Sequence, residues 1–512
     1  MTEGNGNTAT VKRSAMMRFL DGVENVGNRL PHPATLFAIF AFVIAIASWV
    51  VARAGVTAVH PGTGETISAV NMISADGFRF MWTDMTSNFV HFPPLGIVLV
   101  AMIGIGVAEG SGLISALLRH LVTTAPPRMI TAAVIAAGIL SHLASSAGYV
   151  VLIPLGAMIF AAFKRHPIAG LAAAFLGVSG GFGANFLIGS IDPILAGLTE
   201  SAAQIINPEM HISPAVNYYF MLASATMIVI IGTIVTERIV EPRLGKYEGE
   251  IEDFEKVSPN ERKGLAWAAI SVAVFLVLLA LLTIPEGALL RDPETGSLLR
   301  SPFMSGLITA IMIFFIVPGT AYGIAVGTIG SDKEIIKFMS KSMQGLSGYI
   351  VIVFFAAQFV YYFKYSNIGV LMAIRGAEFL GNIGFTGVML LVAFVILSAF
   401  INLFMGSASA KWAIMAPVFV PMFMLVGYHP GITQAAFRIG DSITNIITPM
   451  MSYFALIVAF AQKYDEKYGI GTITATMLPY TIIIGLVWTI LLAAWMLIGL
   501  PVGPDAPIHL PG

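Results

Sequence analysis

Stretches of about 20 apolar residues recur along this chain, and each is long enough for a helix to cross the hydrocarbon core of a bilayer. Only 11% of the 512 residues are charged, whereas soluble proteins carry about 25%. The alternating segments of membrane β-barrels, which run to about ten residues, do not occur in the sequence. We therefore predict an all-α polytopic membrane protein.

The apolar segments divide into full spans and two interrupted segments. The interrupted segments, about 129–163 and 384–425, have small polar residues near the middle. This pattern predicts re-entrant helical hairpins, which enter and leave the membrane on one side. The nine predicted full spans lie at about 34–54, 94–118, 168–206, 217–239, 264–284, 303–326, 346–363, 432–460 and 473–499.

Charged segments separate the predicted parts of the chain. We expect a cytoplasmic N-terminal segment, a first membrane repeat, a cytoplasmic linker, a second membrane repeat and an outer C-terminal tail. These parts cover residues 1–33, 34–240, 241–263, 264–499 and 500–512. The N-terminal segment lacks the apolar core of a cleavable signal peptide, so the first span is predicted to remain as an anchor.

The distribution of lysine and arginine predicts the orientation, because these residues concentrate on the cytoplasmic side. With the N-terminus inside, 19 of the 27 fall in cytoplasmic segments, six fall outside, and two, Lys411 and Arg438, fall within the membrane. The C-terminus is then periplasmic, and the chain is expected in the bacterial inner membrane. The hairpins enter from opposite sides, so the repeats are inverted, as alternating access about a central site requires.

A nine-residue pattern occurs once in each hairpin, 263 residues apart. In the copies Ser146–Pro154 and Ser409–Pro417, the Ser-Ala pair and the proline are identical in register. Tyr149 aligns with another aromatic residue, Trp412. Paired breaks in two halves of a chain indicate the binding site of a transporter, so the aligned serines are predicted to contact substrate. The alternative is chance similarity between two apolar helices.

A second matched break follows each hairpin proline by about 30 residues. Each combines an asparagine, an aspartate and helix-breaking residues. A broken helix frees backbone carbonyls and exposes the partial charges at its ends. The carbonyl oxygens suit Na⁺, whereas the positive N-terminal end of a helix suits an anionic substrate. Asn185, Asp441 and Asn445 are therefore candidate Na⁺ ligands. For the two asparagines the alternative is hydrogen bonding between helices.

Charged side chains within membrane segments indicate function by default, because each costs about 2.5 kcal/mol or more to insert. The clearest candidates are Asp192, Lys411, Arg438 and Asp441. Glu109 and His142 are weaker candidates. Arg438 is the natural partner of a substrate carboxylate, which its planar guanidinium can bind through two hydrogen bonds. Arg438 and Asp441 are three residues apart, so the alternative is that they pair with each other.

The remaining candidates also have alternatives. Asp192 can carry a proton, or it can cap the helix that restarts at Asp192-Pro193. Lys411 can reach an anion or extend to water. Trp412 offers an aromatic face to a ring-bearing substrate, although packing is the commoner role. Pro430 is predicted to form the turn after the second hairpin.

Together these motifs resemble the p-aminobenzoyl-glutamate transporter (AbgT) family, within the ion-transporter superfamily of dicarboxylate carriers. The resemblance rests on residues 145–154, 185–193, 406–417 and 438–449, and it extends from the first span to the last. It implies a homodimer of nine-span protomers with two re-entrant hairpins. It also implies uptake of p-aminobenzoyl-glutamate and proton-motive-force-driven export of sulfonamide antimetabolites.

The resemblance also implies residue roles. The residues with a role in transport are Asp192, Trp412, Pro430 and Arg438. The residues near a Na⁺ site are Asn402 and Asp441. The chemistry of p-aminobenzoyl-glutamate agrees, since Trp412 could stack on its ring while Arg438 and Lys411 take its two carboxylates. A sulfonamide keeps the aniline ring but lacks the glutamate, so it should depend more on Trp412 than on Arg438.

We therefore predict a secondary active transporter, not an enzyme, that exports p-aminobenzoyl-glutamate-like aromatic carboxylates and sulfonamides with the proton-motive force. The alternatives are a Na⁺-coupled importer of p-aminobenzoyl-glutamate or a dicarboxylate, and an uncoupled channel. An aspartyl protease dyad of Asp192 and Asp441 is a weaker alternative, because the usual Tyr-Asp partner motif is missing.

The expected partners are the small substrate, H⁺ or Na⁺, membrane lipid and a second copy of the chain. Na⁺ is the one cofactor candidate. The net charge is −1 without a basic block, so no nucleic acid is expected. The chain has no cysteine, which excludes disulfides, thiol catalysis and cysteine-ligated metal.

Overall fold

The computed structural model describes residues 31–59, 64–143, 148–245, 247, 249, 257–297 and 301–510. The predicted all-α polytopic fold is confirmed: helices dominate, and the one sheet within the described ranges is a small antiparallel pair. Its strands, β1 (Thr57–Val59) and β2 (Thr66–Ser68), lie in the loop after the first span. Most of the predicted N-terminal segment 1–33 lies outside the described residues.

The first half begins with a span and contains the first hairpin. Its helices are α1 (Pro33–Arg53), α2 (Ala75–Thr83), α3 (Met85–Val90), α4 (Pro93–Gly110), α5 (Leu113–Thr123), α6 (Ile130–Leu140), α7 (Ile153–Ala162), α8 (Pro167–Phe175), α9 (Ile191–Ala203), α10 (Tyr218–Val235) and α11 (Glu241–Leu244). Short 3₁₀ turns cover Pro127–Met129 and Ser141–Leu143, and π-helical turns cover Gly148–Leu152, Leu176–Gly180 and Thr236–Val240. Hairpin 1 consists of α6 and α7.

The second half has the same plan. Its helices are α12 (Pro259–Thr283), α13 (Pro302–Ser305), α14 (Leu307–Val326), α15 (Asp332–Gly345), α16 (Ser347–Tyr365), α17 (Ile368–Asn382), α18 (Gly387–Asn402), α19 (Ala408–Leu425), α20 (Pro430–Asn445), α21 (Phe454–Gln462) and α22 (Ile470–Ile498). Hairpin 2 consists of α18 and α19.

Eight helices in the described part of the chain are long and apolar enough to cross a membrane, or nine if a bent pair is counted as one span. One of the eight, α19, is an arm of hairpin 2. Two of the predicted spans, 168–206 and 432–460, are absent from the eight because each is broken into two shorter helices, α8 with α9 and α20 with α21. The predicted nine crossings therefore include two broken ones.

The predicted span 94–118 is also not one helix. It divides into α4 and α5 at Gly112, whose φ of +90° is a left-handed conformation that favours glycine. The chain then bends by 114° between α5 and the segment Pro127–Leu140. Two adjacent prolines, Pro126 and Pro127, explain this bend, because proline lacks the N–H that a continuing helix needs.

The two hairpins open toward opposite sides of the membrane. Five crossings separate them among the described helices: the broken pair α8–α9, then α10, α12, α14 and α16. An odd number of crossings reverses the direction of the chain, so the second repeat is inverted relative to the first. This count takes α8–α9 as one crossing and the shorter helices α15 and α17 as not crossing, and it does not depend on which side is cytoplasmic.

Burial divides the bundle into a packed centre and a lipid-facing periphery. Every residue of α8 is buried, whereas in α12 the buried residues are Gly264, Ala268 and Thr283. Both helices are apolar, so the difference lies in what surrounds them: protein around α8 and, for α12, the lipid expected at a membrane protein's surface. The hairpins and broken helices form the centre.

Two chain segments differ from their predicted character. The helix α12 begins at Pro259, inside the predicted linker, because Ser258 caps it and Glu261 completes a capping box. The predicted tail 500–512 packs against the bundle as far as residue 510: Val502 and Ile508 are buried, and their carbonyls accept hydrogen bonds from Phe220 N and His429 N, each at 3.0 Å.

Candidate transport site

The first broken helix places Asp192 at the start of α9. The π-helical turn after α8 ends at Gly180, and no helix forms again until Ile191. Asp192 lies in the first turn of α9, where its Oδ2 accepts a hydrogen bond from Gly189 N at 2.7 Å. A helix N-terminus stabilises negative charge. The capping alternative is wrong in this structure, because Ser190 is the N-cap of α9 and Asp192 is its second residue. The other carboxylate oxygen of Asp192 faces elsewhere.

That other oxygen faces Arg438 of the second half. Arg438 Nη2 lies 2.6 Å from Asp192 Oδ1, and both side chains are almost completely buried, at 3% and 1% exposure. The alternative that Arg438 pairs with Asp441, one helical turn away, is wrong in this structure. The ion pair instead joins α9 of the first repeat to α20 of the second.

Arg438 has unused hydrogen-bonding capacity. Apart from the contact of Nη2 with Asp192, its Nε and Nη1 are buried without a hydrogen-bond partner among the described residues. Buried donors are costly to leave unsatisfied. An arginine in this condition is suited to receive another oxygen acceptor, and a carboxylate matches its geometry.

A second ion pair lies within the second half. Lys411, on α19, is fully buried, and its Nζ lies 2.5 Å from Asp441 Oδ1 on α20. The same ammonium donates to Asn402 Oδ1, at the end of α18. Lys411 therefore neither extends to water nor faces the cavity. The two aspartates are each paired with a different cation, so they do not form a protease dyad.

The predicted Na⁺ ligands are only partly brought together. Asn402 donates through Nδ2 to Asp441 O at 2.5 Å, to Thr444 Oγ1 at 2.8 Å and to Asn445 Oδ1 at 2.9 Å. Asn185 lies in the other broken helix, where its Oδ1 accepts from Phe186 N at 2.9 Å. Three of the four candidates form one cluster, and Asn185 has a separate local role.

Trp412 is packed rather than open to a ligand. It is fully buried, its ring lies 4.5 Å from that of Phe437, and its Nε1 donates to Thr199 Oγ1 at 2.9 Å. These contacts tie hairpin 2 to α9 and α20. Pro430 is the first residue of α20, as its predicted turn position requires, and His429 caps that helix by accepting from Gly431 N.

A cavity of about 640 Å³ lies between hairpin 2, the broken helices and the helices α4 and α15. This volume suits a small organic molecule. Its lining includes the predicted Ser409 and its neighbour Ser407, and it includes Ile191, next to Asp192. Ser146, the other aligned serine, lies outside the described residues.

The cavity presents an aromatic pair and two charges. The rings of Tyr149 and Tyr453 are stacked, with centroids 4.4 Å apart and planes at 11°. Glu109 and Lys341 line the wall and interact electrostatically. Aromatic faces, hydroxyl groups and a lysine can together hold an aromatic carboxylate.

Sequence motifs point to only part of this lining. Tyr149 is the aromatic residue aligned with Trp412, and Glu109 is a weaker candidate among the charged residues of the membrane segments. Tyr453 and Lys341 carry no motif, although the signal available for Lys341 was its place on the amphipathic helix α15. His142 is buried with its ring edge-on to Phe182 at 5.1 Å, and its carbonyl accepts from Ser190 Oγ at 3.2 Å, so it supports the first break.

Two inverted repeats, each with a hairpin and a broken helix beside a shared cavity, define a membrane transport protein. A family model described as "AbgT putative transporter family" matches residues 18–510. The chain belongs to this family, whose members are transporters and not enzymes.

Individual relatives agree over nearly the whole chain. The chain is 38% identical to the p-aminobenzoyl-glutamate transport protein of Escherichia coli (strain K12) over 94% of this chain and 95% of that protein. It is similar to the structure of the Alcanivorax borkumensis YdaH transporter, with 45% identity, a TM-score of 0.89 and coverage of 93% and 100%. It is also similar to Neisseria gonorrhoeae MtrF, described with a class of antimetabolite efflux pumps, with 48% identity, a TM-score of 0.91 and coverage of 96% and 100%.

Proposed function

We propose that this protein is a secondary active transporter of the bacterial inner membrane that exports p-aminobenzoyl-glutamate-like aromatic carboxylates and sulfonamide-type antimetabolites, driven by the proton-motive force. The single observation that carries the proposal is the buried ion pair between Asp192 and Arg438. It joins the two inverted repeats, and it lies one residue from the cavity wall at Ile191.

The substrate class follows from the cavity. An aniline ring fits against the stacked Tyr149 and Tyr453, and a carboxylate pairs with Lys341. Arg438, with its unsatisfied donors, can take a second carboxylate when the repeats move. The relatives named for p-aminobenzoyl-glutamate transport and for antimetabolite efflux support the same class of substrate.

Proton coupling follows from what the ion pair connects. While Asp192 is ionised, its attraction to Arg438 holds α9 against α20 and keeps Ile191 in the cavity wall. A proton on Asp192 removes this attraction and weakens the wall that holds the substrate. The protein therefore binds either substrate or a proton on Asp192, but not both at once. Because the two exclude each other, substrate moves in one direction and H⁺ moves in the other.

The orientation and the assembly of the protein belong to the same proposal. We place the N-terminus and the linker 241–263 in the cytoplasm and the C-terminus in the periplasm, as the lysine and arginine distribution favours. The protein works as a homodimer in lipid. Direct stacking on Trp412 requires a conformation in which the indole leaves Phe437 and Thr199, since the side chain is fully buried here.

The experiment is transport by purified protein in proteoliposomes, with labelled sulfonamide and labelled p-aminobenzoyl-glutamate, under an imposed pH or Na⁺ gradient. Accumulation against concentration under the pH gradient, lost in Asp192→Asn, is the expected result. Asp292→Asn, the same chemical change in an exposed loop, is the matched control and should transport normally. Flux that only equilibrates would favour a channel, and accumulation that follows Na⁺ in the substrate's own direction would favour the Na⁺-coupled importer.

A further inference from the structure

Lys411 lies at the centre of the oxygen cluster where Na⁺ is predicted to bind. It is fully buried, although a buried ammonium is stable only when it is paired. Its partners are Asp441 Oδ1 at 2.5 Å and Asn402 Oδ1. These are the oxygens of the two residues that the family resemblance places near a Na⁺ site.

The rest of the cluster is arranged around this ammonium. Asn402 turns its amide nitrogen toward Asp441 O, Thr444 and Asn445, and this orientation aims its Oδ1 at Lys411. The Asn445 amide also lies 3.5 Å from Asp441 Oδ2. The side-chain oxygens of Asn402 and Asp441 are therefore already directed at a cation that belongs to the chain, and they do not fit a metal ion in this conformation.

An ammonium and Na⁺ carry the same charge and attract the same hard oxygens. Two cations within a few ångströms repel strongly in a buried site. Na⁺ can therefore bind between Asn402 and Asp441 only when Lys411 is displaced. Lys411 has few places to go, because it is one residue from Trp412, whose contacts with Thr199 and Phe437 fix this part of α19.

We propose that Lys411 is a built-in cation that replaces Na⁺ at the Asn402–Asp441 site. The protein then needs no Na⁺ to neutralise Asp441, and removal of the ammonium converts the site into one that binds an alkali cation. The consequence for transport, that the cycle runs without Na⁺, rests on the proposed function, whereas the binding property does not.

The test is the thermal unfolding of purified protein in detergent, in NaCl and in choline chloride at equal ionic strength. For the wild type we expect the same midpoint in both salts. For Lys411→Ala, which removes the charge and opens space, we expect a lower midpoint in choline and a Na⁺-specific recovery of about 3 °C or more at saturating Na⁺. Lys411→Ala with Asp441→Asn should lose the response to Na⁺.

Two further variants keep the test decisive. Lys411→Arg preserves a cation, so it should behave as the wild type does and should fold if Lys411→Ala does not. Lys364→Ala removes a half-buried lysine elsewhere and should show no Na⁺-specific shift. A Na⁺-specific shift in the wild type, or none in a folded Lys411→Ala, overturns the proposal. Because no transport is measured, failure of proton coupling in proteoliposomes would leave this result unaffected.

Discussion

The two buried ion pairs of the site differ in what they connect. Asp192–Arg438 joins α9 of the first repeat to α20 of the second, whereas Lys411–Asp441 joins α19 to α20 within the second repeat. Arg438 and Asp441 are one turn apart on the same helix, yet they face different partners. One pair therefore joins the two repeats, so it would change in the proposed cycle if they move against each other, whereas the other pair lies within one repeat.

Under the proposed function, this difference lets one short helix, α20, contribute both to coupling and to stability. A salt bridge across a moving boundary can be broken by a proton or a substrate, so it can report occupancy of the site. A salt bridge within one repeat, where Lys411 also donates to Asn402, does not lie on such a boundary. The same residue types thus have different roles because of the elements they join.

The largest expected effect comes from removing one partner of either pair. Arg438→Met and Lys411→Met should each destabilise the protein by about 3–5 kcal/mol, because a buried carboxylate is left without its cation. The neutral double variants Asp192→Leu/Arg438→Met and Lys411→Met/Asp441→Leu should regain most of the loss. Thermal unfolding in detergent measures all four.

Transport then separates the two pairs. The double variant at Lys411 and Asp441 should keep measurable proton-driven transport, and the one at Asp192 and Arg438 should keep none. If both double variants transport equally, the pair between the repeats has no special role. If neither regains stability, burial of the charges is not the dominant cost.

The next effect concerns substrates. We expect Trp412→Phe to reduce sulfonamide transport more than Arg438→Lys does, because a sulfonamide lacks the glutamate carboxylates. The opposite order is expected for p-aminobenzoyl-glutamate. Initial rates for both substrates in the same proteoliposomes measure this. Equal losses of sulfonamide transport would contradict the prediction and assign Trp412 to packing, in agreement with its contacts to Phe437 and Thr199.

A partly exposed cluster in the first repeat sharpens the contrast with the buried pairs. Arg165, between α7 and α8, lies 2.5 Å from Glu241 and also donates to Thr131 Oγ1 at 2.8 Å. Both charged side chains are about one-fifth exposed, at 19% and 22%. Solvent screens such pairs, so Glu241→Gln should cost only about 1 kcal/mol. A loss as large as that of Arg438→Met would contradict the role given to burial.

The smallest effect is a pH dependence at Glu261, outside the membrane-spanning centre. Burial raises the pKa of Glu261, but hydrogen bonds from Ser258 and the charge of Arg119 outweigh it, and the net result is a lower pKa. Its contribution to stability is therefore present above the ordinary value of 4.5 and is lost as the pH falls through the lower folded value.

The measurement is the unfolding midpoint between pH 7 and pH 4 for the wild type and Glu261→Gln. The variant should have the flatter profile at the acid end, by about 0.5 kcal/mol, because the pair is partly solvated. Identical profiles would mean that Arg119 and Ser258 do not favour the ionised form of Glu261.

Much of the architecture could be predicted from the sequence. The lengths of the apolar segments predict the crossings, and the paired nonamers predict both hairpins. The breaks at Gly180 and beyond Asn445 occur where glycine, proline and asparagine interrupt apolar segments. These features depend on short segments of the chain. In a bilayer, each backbone N–H and C=O must form its hydrogen bond within its own helix unless protein surrounds it.

The partners of the charged residues could not be predicted. Sequence spacing offers Asp441 as the alternative partner of Arg438, beside a substrate carboxylate, and no cation lies near Asp192 in the sequence. The structure instead pairs Arg438 with Asp192, 246 residues away, and Asp441 with Lys411. Spacing on one helix says which residues share a face, but it says nothing about which element packs on that face.

The sequence by itself determined that this chain is a polytopic, duplicated membrane transporter, because length, hydropathy and repeated helix breaks are properties of the chain alone. Only the tertiary structure decided that Trp412 is packed, that Lys411 pairs with Asp441, and that Tyr149 stacks on Tyr453 beside the cavity. The physical reason is that burial and pairing depend on contacts between distant segments, and these contacts form only when the two repeats close around the centre.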